Sequence, residues 1–239
     1  SMLAEDFEPN RLERTKYAVE KVLEGLEEDK VGVIVFAGDA YVQLPITSDY
    51  VAARSFAAQI SPTMVSKQGT AIGAAIDLAA SSFSSGSEGS RVIVVISDGE
   101  NHEDDALAAA KAAAEKGIRI YTIGIGTPEG APISIDGEFI KDEQGDMVVS
   151  KLDEQMLEQI ALTTGGAYIR ATNRSLGLDE IVQKINEVEK KELTSTVFED
   201  FNEQYQYLIG LALALLLLEF AMLERRSRLL ARFNIFRKR

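Results

Sequence analysis

The stretch that most constrains this chain is Arg91–Asp98, RVIVVISD, followed by Gly99-Glu100-Asn101. Five consecutive β-branched aliphatics, Val92 to Ile96, predict a strand buried on both faces, the pattern of a central parallel strand. The strand ends in a hydroxyl, a carboxylate and a glycine. In open α/β sheets ligands bind beyond the carboxyl ends of the strands, which puts Asp98 in that crevice. The alternative is a polar turn in which Asp98 serves the following helix.

Composition narrows the chemistry. The chain has 239 residues, no cysteine and a single histidine, His102. Disulfides, thiolate metal sites and multi-histidine metal sites are therefore excluded. The net charge is −13, unevenly spread. Residues 224–239 hold seven Lys/Arg against one Glu, and Glu219 adds one negative charge, which leaves −18 on residues 1–206. An acidic body argues against nucleic acid and suits a cation or a basic partner.

The elements on either side of the central strand alternate. Pro9 suits a helix start, and Leu12, Val19, Val22, Leu23 and Leu26 form one apolar helical face. Lys30–Phe36 reads as a buried strand, Gly38-Asp39 as a turn, and Tyr41–Ile46, with Pro45, as an edge strand. Thr47 or Ser48 caps a helix to about Ile60. A loop, Ser61–Gly69, leads to a small-residue helix, Thr70–Ser82, which lets another element approach closely. After Asp98 an acidic run, Glu100, Glu103, Asp104 and Asp105, reads as the solvated start of helix Ala106–Lys116. Gly117 closes that helix and Ile118–Ile125 is the next strand. In Thr127–Lys151 the rhythm breaks: ISIDGEFI, with Asp136-Gly137 at its centre, is a hairpin signal, and MVVSKL is a candidate partner for it. Asp153 caps a helix to about Thr164, Ala167–Arg170 is a short strand, and Leu178–Lys191 is a last amphipathic helix. This order implies a three-layer α/β domain, with helices on both faces of a doubly wound, mostly parallel sheet and a β-hairpin insertion.

The C-terminal region differs. Tyr207–Leu223 is 17 residues with only Glu219 charged. That composition predicts a transmembrane helix at the short end of the spanning range. Tyr205 and Tyr207 mark one interface, and Arg225, Arg226, Arg228 and Arg232 the other. The positive-inside rule then makes the basic tail cytoplasmic and puts residues 1–206 on the opposite side. The expected organisation is a domain over 1–192, a juxtamembrane linker over 193–206, a span over 207–223 and a basic tail over 224–239.

Three oxygen-bearing residues, Asp98, Thr70 and Ser1, fall at the expected carboxyl edge of the sheet. Hard cations such as Mg²⁺ take oxygen ligands, and a site rich in hydroxyls and poor in carboxylates leaves the ion able to accept one more carboxylate. Spacing alone leaves Thr70 equally suited to capping its helix. The runs SKQGTAIGAAI (Ser66–Ile76), RVIVVISDGENHEDD (Arg91–Asp105) and GIRIYTIGIGTPEGAPI (Gly117–Ile133) together resemble a von Willebrand factor type A (VWA) domain. They are most similar to the bacterial membrane-anchored BatA/BatB group, named for Bacteroides aerotolerance, and the opening SMLAEDFEPNRLERTKYAV fits that group too.

The resemblance implies a VWA/Rossmann-like fold and a metal-ion-dependent adhesion site (MIDAS). Its ligands map to Ser1, as the last serine of an Asp-x-Ser-x-Ser motif, to Thr70 and to Asp98, with Mg²⁺ or Mn²⁺ as the ion. The aspartate and first serine of that motif, and the strand bearing them, would precede Ser1. The chain is accordingly expected to be an N-terminally truncated fragment, unless Ser1-Met2 is a cloning scar. The resemblance further implies a non-enzymatic interaction module at the bacterial inner membrane, its VWA domain periplasmic. Its protein partner would supply a carboxylate to the metal, and it would act with other Bat proteins and a MoxR-type AAA+ ATPase in aerotolerance or stress response. Two alternatives stand beside it. One is a Mg²⁺-dependent hydrolase using Asp98, which lacks paired catalytic carboxylates, a phosphate-binding lysine or a nucleophile elbow. The other is a structural VWA scaffold without a functional metal site.

Overall fold

In the computed structural model, the structure describes residues 1–26, 29–84, 89–101, 103–135, 138–141, 144–187 and 205–223. The chain divides into two compact units, Ser1–Glu189 and Lys190–Arg239.

The first unit is the α/β domain. Helix α1 (Arg11–Gly25) starts at Asn10, whose side chain accepts from the Glu13 amide, so the cap falls one residue after Pro9. Strands β1 (Val31–Phe36) and β2 (Ala40–Thr47) form an antiparallel hairpin around Gly38-Asp39. Asp49, not Thr47 or Ser48, caps α2 (Tyr50–Ala58) by accepting from the Ala52 amide. A 3₁₀ turn, Pro62–Met64, leads to α3 (Ile72–Ser82), then β3 (Arg91–Ser97), α4 (Ala106–Glu115) and β4 (Ile118–Gly124). Next comes a ribbon of two-residue strands: β5 (Ala131–Pro132), β6 (Ser134–Ile135), β7 (Glu138–Phe139) and β8 (Val149–Ser150). Helix α5 (Glu154–Thr163), capped by Asp153, strand β9 (Tyr168–Arg170) and helix α6 (178–187) complete the unit.

The hairpin signal is realised as β6 pairing with β7, the Asp136-Gly137 turn itself lying outside the described residues. The MVVSKL segment does meet the hairpin, the Val148 carbonyl accepting from the Ile133 amide and the Val148 amide donating to the Ile140 carbonyl, and it continues into β8, which runs antiparallel to β5.

The parallel sheet has the order β3-β4-β9, with β3 and β4 in register from Arg91 opposite Ile118 to Ser97 opposite Gly124. The middle strand is β4, and every residue in it but Arg119 is buried. The expectation that β3 is buried on both faces fails. Only Val95 and Ser97 are buried, and Val94 is 37% exposed. The reason is position: β3 has β4 on one edge and no strand partner on the other among the described residues. β-branched composition reports a fit to a pleated surface, and the neighbours on both edges decide burial.

Small residues bring the helices close. Ile72, Ile76 and Ala80 of α3 pack with Ala106, Ala109, Ala110 and Ala113 of α4 and with Ile118 and Ile120 of β4. A second core joins Phe7, Tyr121, Ile123, Ile125, Leu176 and Ile181, and α1 contributes Val19 and Val22 to it. Helices therefore cover the sheet from both sides.

In the second unit, α7 (Tyr205–Leu223) is 19 residues long. It corrects the expectation of a transmembrane helix, because no helix among the described residues is long and apolar enough to cross a membrane. Its unbroken aliphatic run, Leu208–Leu218, ends at Glu219. Those residues rise only about 16 Å, roughly half of a hydrocarbon core of about 30 Å. The tail topology was inferred from that span, and the basic tail, 224–239, lies outside the described residues.

Candidate functional site

Asp98 follows the last residue of β3 and is 1% exposed. Its Oδ2 accepts from the Ser150 hydroxyl at 3.0 Å and lies 3.5 Å from Nη1 of Arg11. Its Oδ1 accepts only a long 3.4 Å contact from the Ser97 hydroxyl. The turn is built around this carboxylate. Ser97 Oγ accepts from the Gly99 amide, and the Asp98 carbonyl accepts from the Asp153 amide at 2.7 Å. Gly99 has φ +80°, and a Cβ there would strike the Asp153 carbonyl, so only glycine fits. Asp98 does not serve the next helix, because Asp105 caps α4 by accepting from the Ala108 amide.

Thr70 precedes α3 and is half-buried. Among the described residues its hydroxyl has no hydrogen-bond partner, and it does not cap the helix. The cap position of α3 is Ala71, which supplies no side-chain bond. The first-turn amides of α3 are instead met from the loop after β3. Asn101 Oδ1 accepts from Ile72, and Asp104 accepts from Gly73 at 3.0 Å and from Ala74 at 2.7 Å. A carboxylate at a helix N-terminus satisfies orphan donors and complements the dipole. Gly73 is required by this approach: a Cβ there would lie 2.9 Å from the Asp104 carboxyl carbon.

The acidic run is solvent-exposed at Glu103, Asp104 and Asp105 and opens α4 as expected, and its carboxylates are also engaged. Glu100 accepts from the Lys151 amide, Glu103 pairs with Lys67 at 2.9 Å, Asp104 caps α3 from outside and Asp105 caps α4. These contacts brace the Thr70 loop against the Asp98 loop, although the two site residues themselves do not touch. Among the described residues no hydrogen bond joins the Ser1 hydroxyl to Asp98 or Thr70, and the electrostatic coupling to Asp98 is that of the Ser1 amine. Desolvation lowers its amine, Asp98 opposes this, Arg11 adds to it and Glu100 opposes it. Its carbonyl accepts from the Ala4 amide, and Ala4, fully buried, bridges Ile133 of the ribbon.

Sequence reasoning missed the group beneath Asp98. Arg11 is fully buried and clamped by Asp6, with Nε to Oδ1 and Nη2 to Oδ2 both 2.7 Å. Its Nη1 donates to Ser150 Oγ at 2.9 Å and its Nη2 to the Ser150 carbonyl at 3.3 Å. Gly126, at φ +143°, leaves room for it, since a Cβ there would lie 3.0 Å from the guanidinium carbon. Asp6 also accepts from the Thr127 amide and hydroxyl. Burial pushes the Asp6 carboxyl up, but Arg11 and Thr127 hold it below the usual range overall. The one sequence signal was spacing: within a highly charged helix start, Arg11 is in helical register with Ala18 and Val22, which pack into the second core.

The sequence and the fold have relatives among known proteins. The family model for the von Willebrand factor type A domain aligns with residues 1–184. The chain belongs to the VWA family. Among solved structures, this VWA domain is similar to an aerotolerance-related membrane protein from Bacteroides fragilis carrying multiple mutations to serines. That structure shares 51% identity over 78% of this chain and 94% of its own, with a TM-score of 0.75. It is also similar to BatB from Bacteroides thetaiotaomicron, at 47% identity over the same shares and a TM-score of 0.74. A mussel byssus matrix protein whose MIDAS motif holds zinc shares the fold, at 16% identity over 80% of this chain and 43% of its own, with a TM-score of 0.54. Curated relatives include an uncharacterized protein of Borreliella burgdorferi, 28% identical over 92% of this chain, and a UPF0353 protein of Nocardia farcinica, 29% identical over 72%. The chain spans 64% and 55% of the lengths of those two.

The donors fit a hard cation in kind. Asp98 supplies a carboxylate whose Oδ1 is lightly engaged, Thr70 supplies a free hydroxyl, and every candidate donor is oxygen. Among the described residues no group of three or more acidic, histidine or cysteine side chains is placed to hold a metal. Of the three candidate ligands, Asp98 is the carboxylate, and Thr70 and Ser1 are hydroxyls.

Proposed function

We propose that this VWA domain is a non-enzymatic, metal-dependent protein-interaction module. Asp98, Thr70 and Ser1 would hold Mg²⁺ or Mn²⁺, and a protein partner would add a carboxylate. Bound there, the ion would supply Lewis-acid attraction for that carboxylate. The observation that carries the reading is the Asp98 carboxylate, buried at the end of a parallel strand with no helix to cap and with Oδ1 nearly free. A buried carboxylate used in this way costs stability unless a charge meets it, and such positions mark functional sites.

The similarity to an aerotolerance-related membrane protein supports a place at a membrane, and the reading puts it at the bacterial inner membrane with the VWA domain on the periplasmic side. The reading includes action with other Bat proteins and a MoxR-type AAA+ ATPase, and its link to aerotolerance is supported by the aerotolerance-related neighbour. The decisive experiment is calorimetric titration with Mg²⁺ and Mn²⁺. Asp98→Ala is expected to abolish binding with the circular dichroism spectrum unchanged. Equal affinity in that variant would overturn the assignment. Protease added to spheroplasts should degrade the VWA domain, and protection there would overturn the periplasmic placement. A second reading, a VWA scaffold without a metal, is favoured by one observation: Arg11 already brings a positive charge to Asp98.

A further inference from the structure

We infer that Arg11 is an internal cation that competes with the metal for Asp98 and so sets the metal affinity of the site. The inference rests on the metal-site reading above. Arginine stays charged at every accessible pH, and its planar fork is bound by two carboxylates here on unequal terms. Asp6 takes a bidentate pair at 2.7 Å, whereas Asp98 is reached at 3.5 Å by one nitrogen. Ser150 lies between them, accepting from Arg11 and donating to Asp98.

Asp6 thus fixes the guanidinium in place, and Asp98 feels its charge without being clamped by it. This explains how a carboxylate that is 1% exposed stands with so little hydrogen bonding to Oδ1. A divalent ion arriving at Oδ1 meets a fixed like charge on the far side of the same carboxylate. Repulsion across a few ångströms of partly buried protein is substantial. The geometry makes the metal alone a weak ligand, strengthened when a further negative group joins it.

Two variants move the affinity in opposite directions. Arg11→Met with Asp6→Asn removes the clamp and the guanidinium together, leaves the Asp98 carboxylate without a protein cation, and should bind Mn²⁺ about tenfold or more tighter. Asp6→Asn alone leaves the guanidinium with Asp98 as its remaining carboxylate, and should bind Mn²⁺ several-fold more weakly. The probe is Mn²⁺ alone, read as the free-ion electron paramagnetic resonance signal in the full chain, with circular dichroism recording the fold. Opposite shifts support the inference, as does binding by the double variant where the wild type binds nothing. Should the double variant not fold, weaker binding by folded Asp6→Asn supports it and unchanged binding overturns it. Unchanged affinity in folded variants, with binding still lost in Asp98→Ala, overturns the role of Arg11 and leaves the metal site standing. Absence of binding in the wild type and in every variant overturns the metal-site reading, and the competition with it.

Discussion

Asp104 is the strongest test of how the two site loops are held together. It lies on the loop after β3, yet it caps α3, accepting from the Gly73 and Ala74 amides at 3.0 and 2.7 Å. Those amides belong to the first turn and have no acceptor within the helix. Losing an N-terminal cap costs about 0.5–2 kcal/mol, and losing the charge beside the dipole adds about 0.3–1 kcal/mol. Asp104 is exposed, and water replaces part of what is lost, so Asp104→Ala should destabilise the domain by about 1.5 kcal/mol. For a domain of this size that is a fall of about 3–6 °C in Tm. Asp104→Asn keeps an acceptor and loses the charge, and should fall between the two.

Thermal and urea denaturation measure the totals, and amide hydrogen exchange localises them. In Asp104→Ala the Gly73 and Ala74 amides should exchange faster, while Ile72, whose amide donates to Asn101, stays protected. Stability within about 0.3 kcal/mol of wild type, with exchange at 73 and 74 unaltered, would refute the reasoning. It would mean that the loop after β3 rests beside α3 without holding it.

Two further perturbations probe the same edge of the sheet. Gly99→Ala forces φ +80° on a residue with a Cβ directed at the Asp153 carbonyl. It should cost about 1–3 kcal/mol in urea denaturation and lower metal affinity at the adjacent Asp98, and a neutral variant would show that the turn relaxes freely. The Asp6 carboxyl is held low by Arg11 and Thr127 against the opposing effect of burial. A depressed folded pKa contributes stability that is full well above the unfolded value of about 3.9 and is lost as pH falls through the folded value. Asp6→Asn should therefore be less stable than wild type at pH 7, with the difference closing on acidification below about pH 4; a gap independent of pH would refute it.

Much of the fold was legible because each element carries its own signal. Asp153 at a cap, Gly117 after a helix and the aliphatic run of β4 act through neighbours in sequence, and the structure places them as read. The misreadings involve partners distant in the chain. Thr47 and Ser48 are sound caps by type, but Asp49 lies one position nearer the first turn of α2. Periodicity cannot tell that β3 has a strand on only one edge, or that MVVSKL continues past the hairpin to pair with β5. At α7, counting 17 largely apolar residues overweighted composition, when the unbroken run before Glu219 is what sets reach.

At the site the division is the same. Asp98 and Thr70 were found from strand context and resemblance, and the structure removes the ordinary explanation for each, since neither caps a helix. Arg11, 87 positions from Asp98, and Ser150, 52 positions from it, carry no local mark of their role. One charged residue among several at the start of a helix reads as solvated until the fold buries it. Once buried, it must be matched, and the match here is Asp6 first and Asp98 second. That ranking bears on function. Were Arg11 to clamp Asp98 as it clamps Asp6, the carboxylate would be consumed in the core and nothing would remain for a ligand. Because Asp6 takes the fork and Ser150 stands between, Asp98 is stabilised without being used up. A buried acid that is partnered yet keeps an oxygen in reserve is what the proposed cation site would require, and the Arg11–Asp6 clamp is the part of this fold that leaves Asp98 in that state.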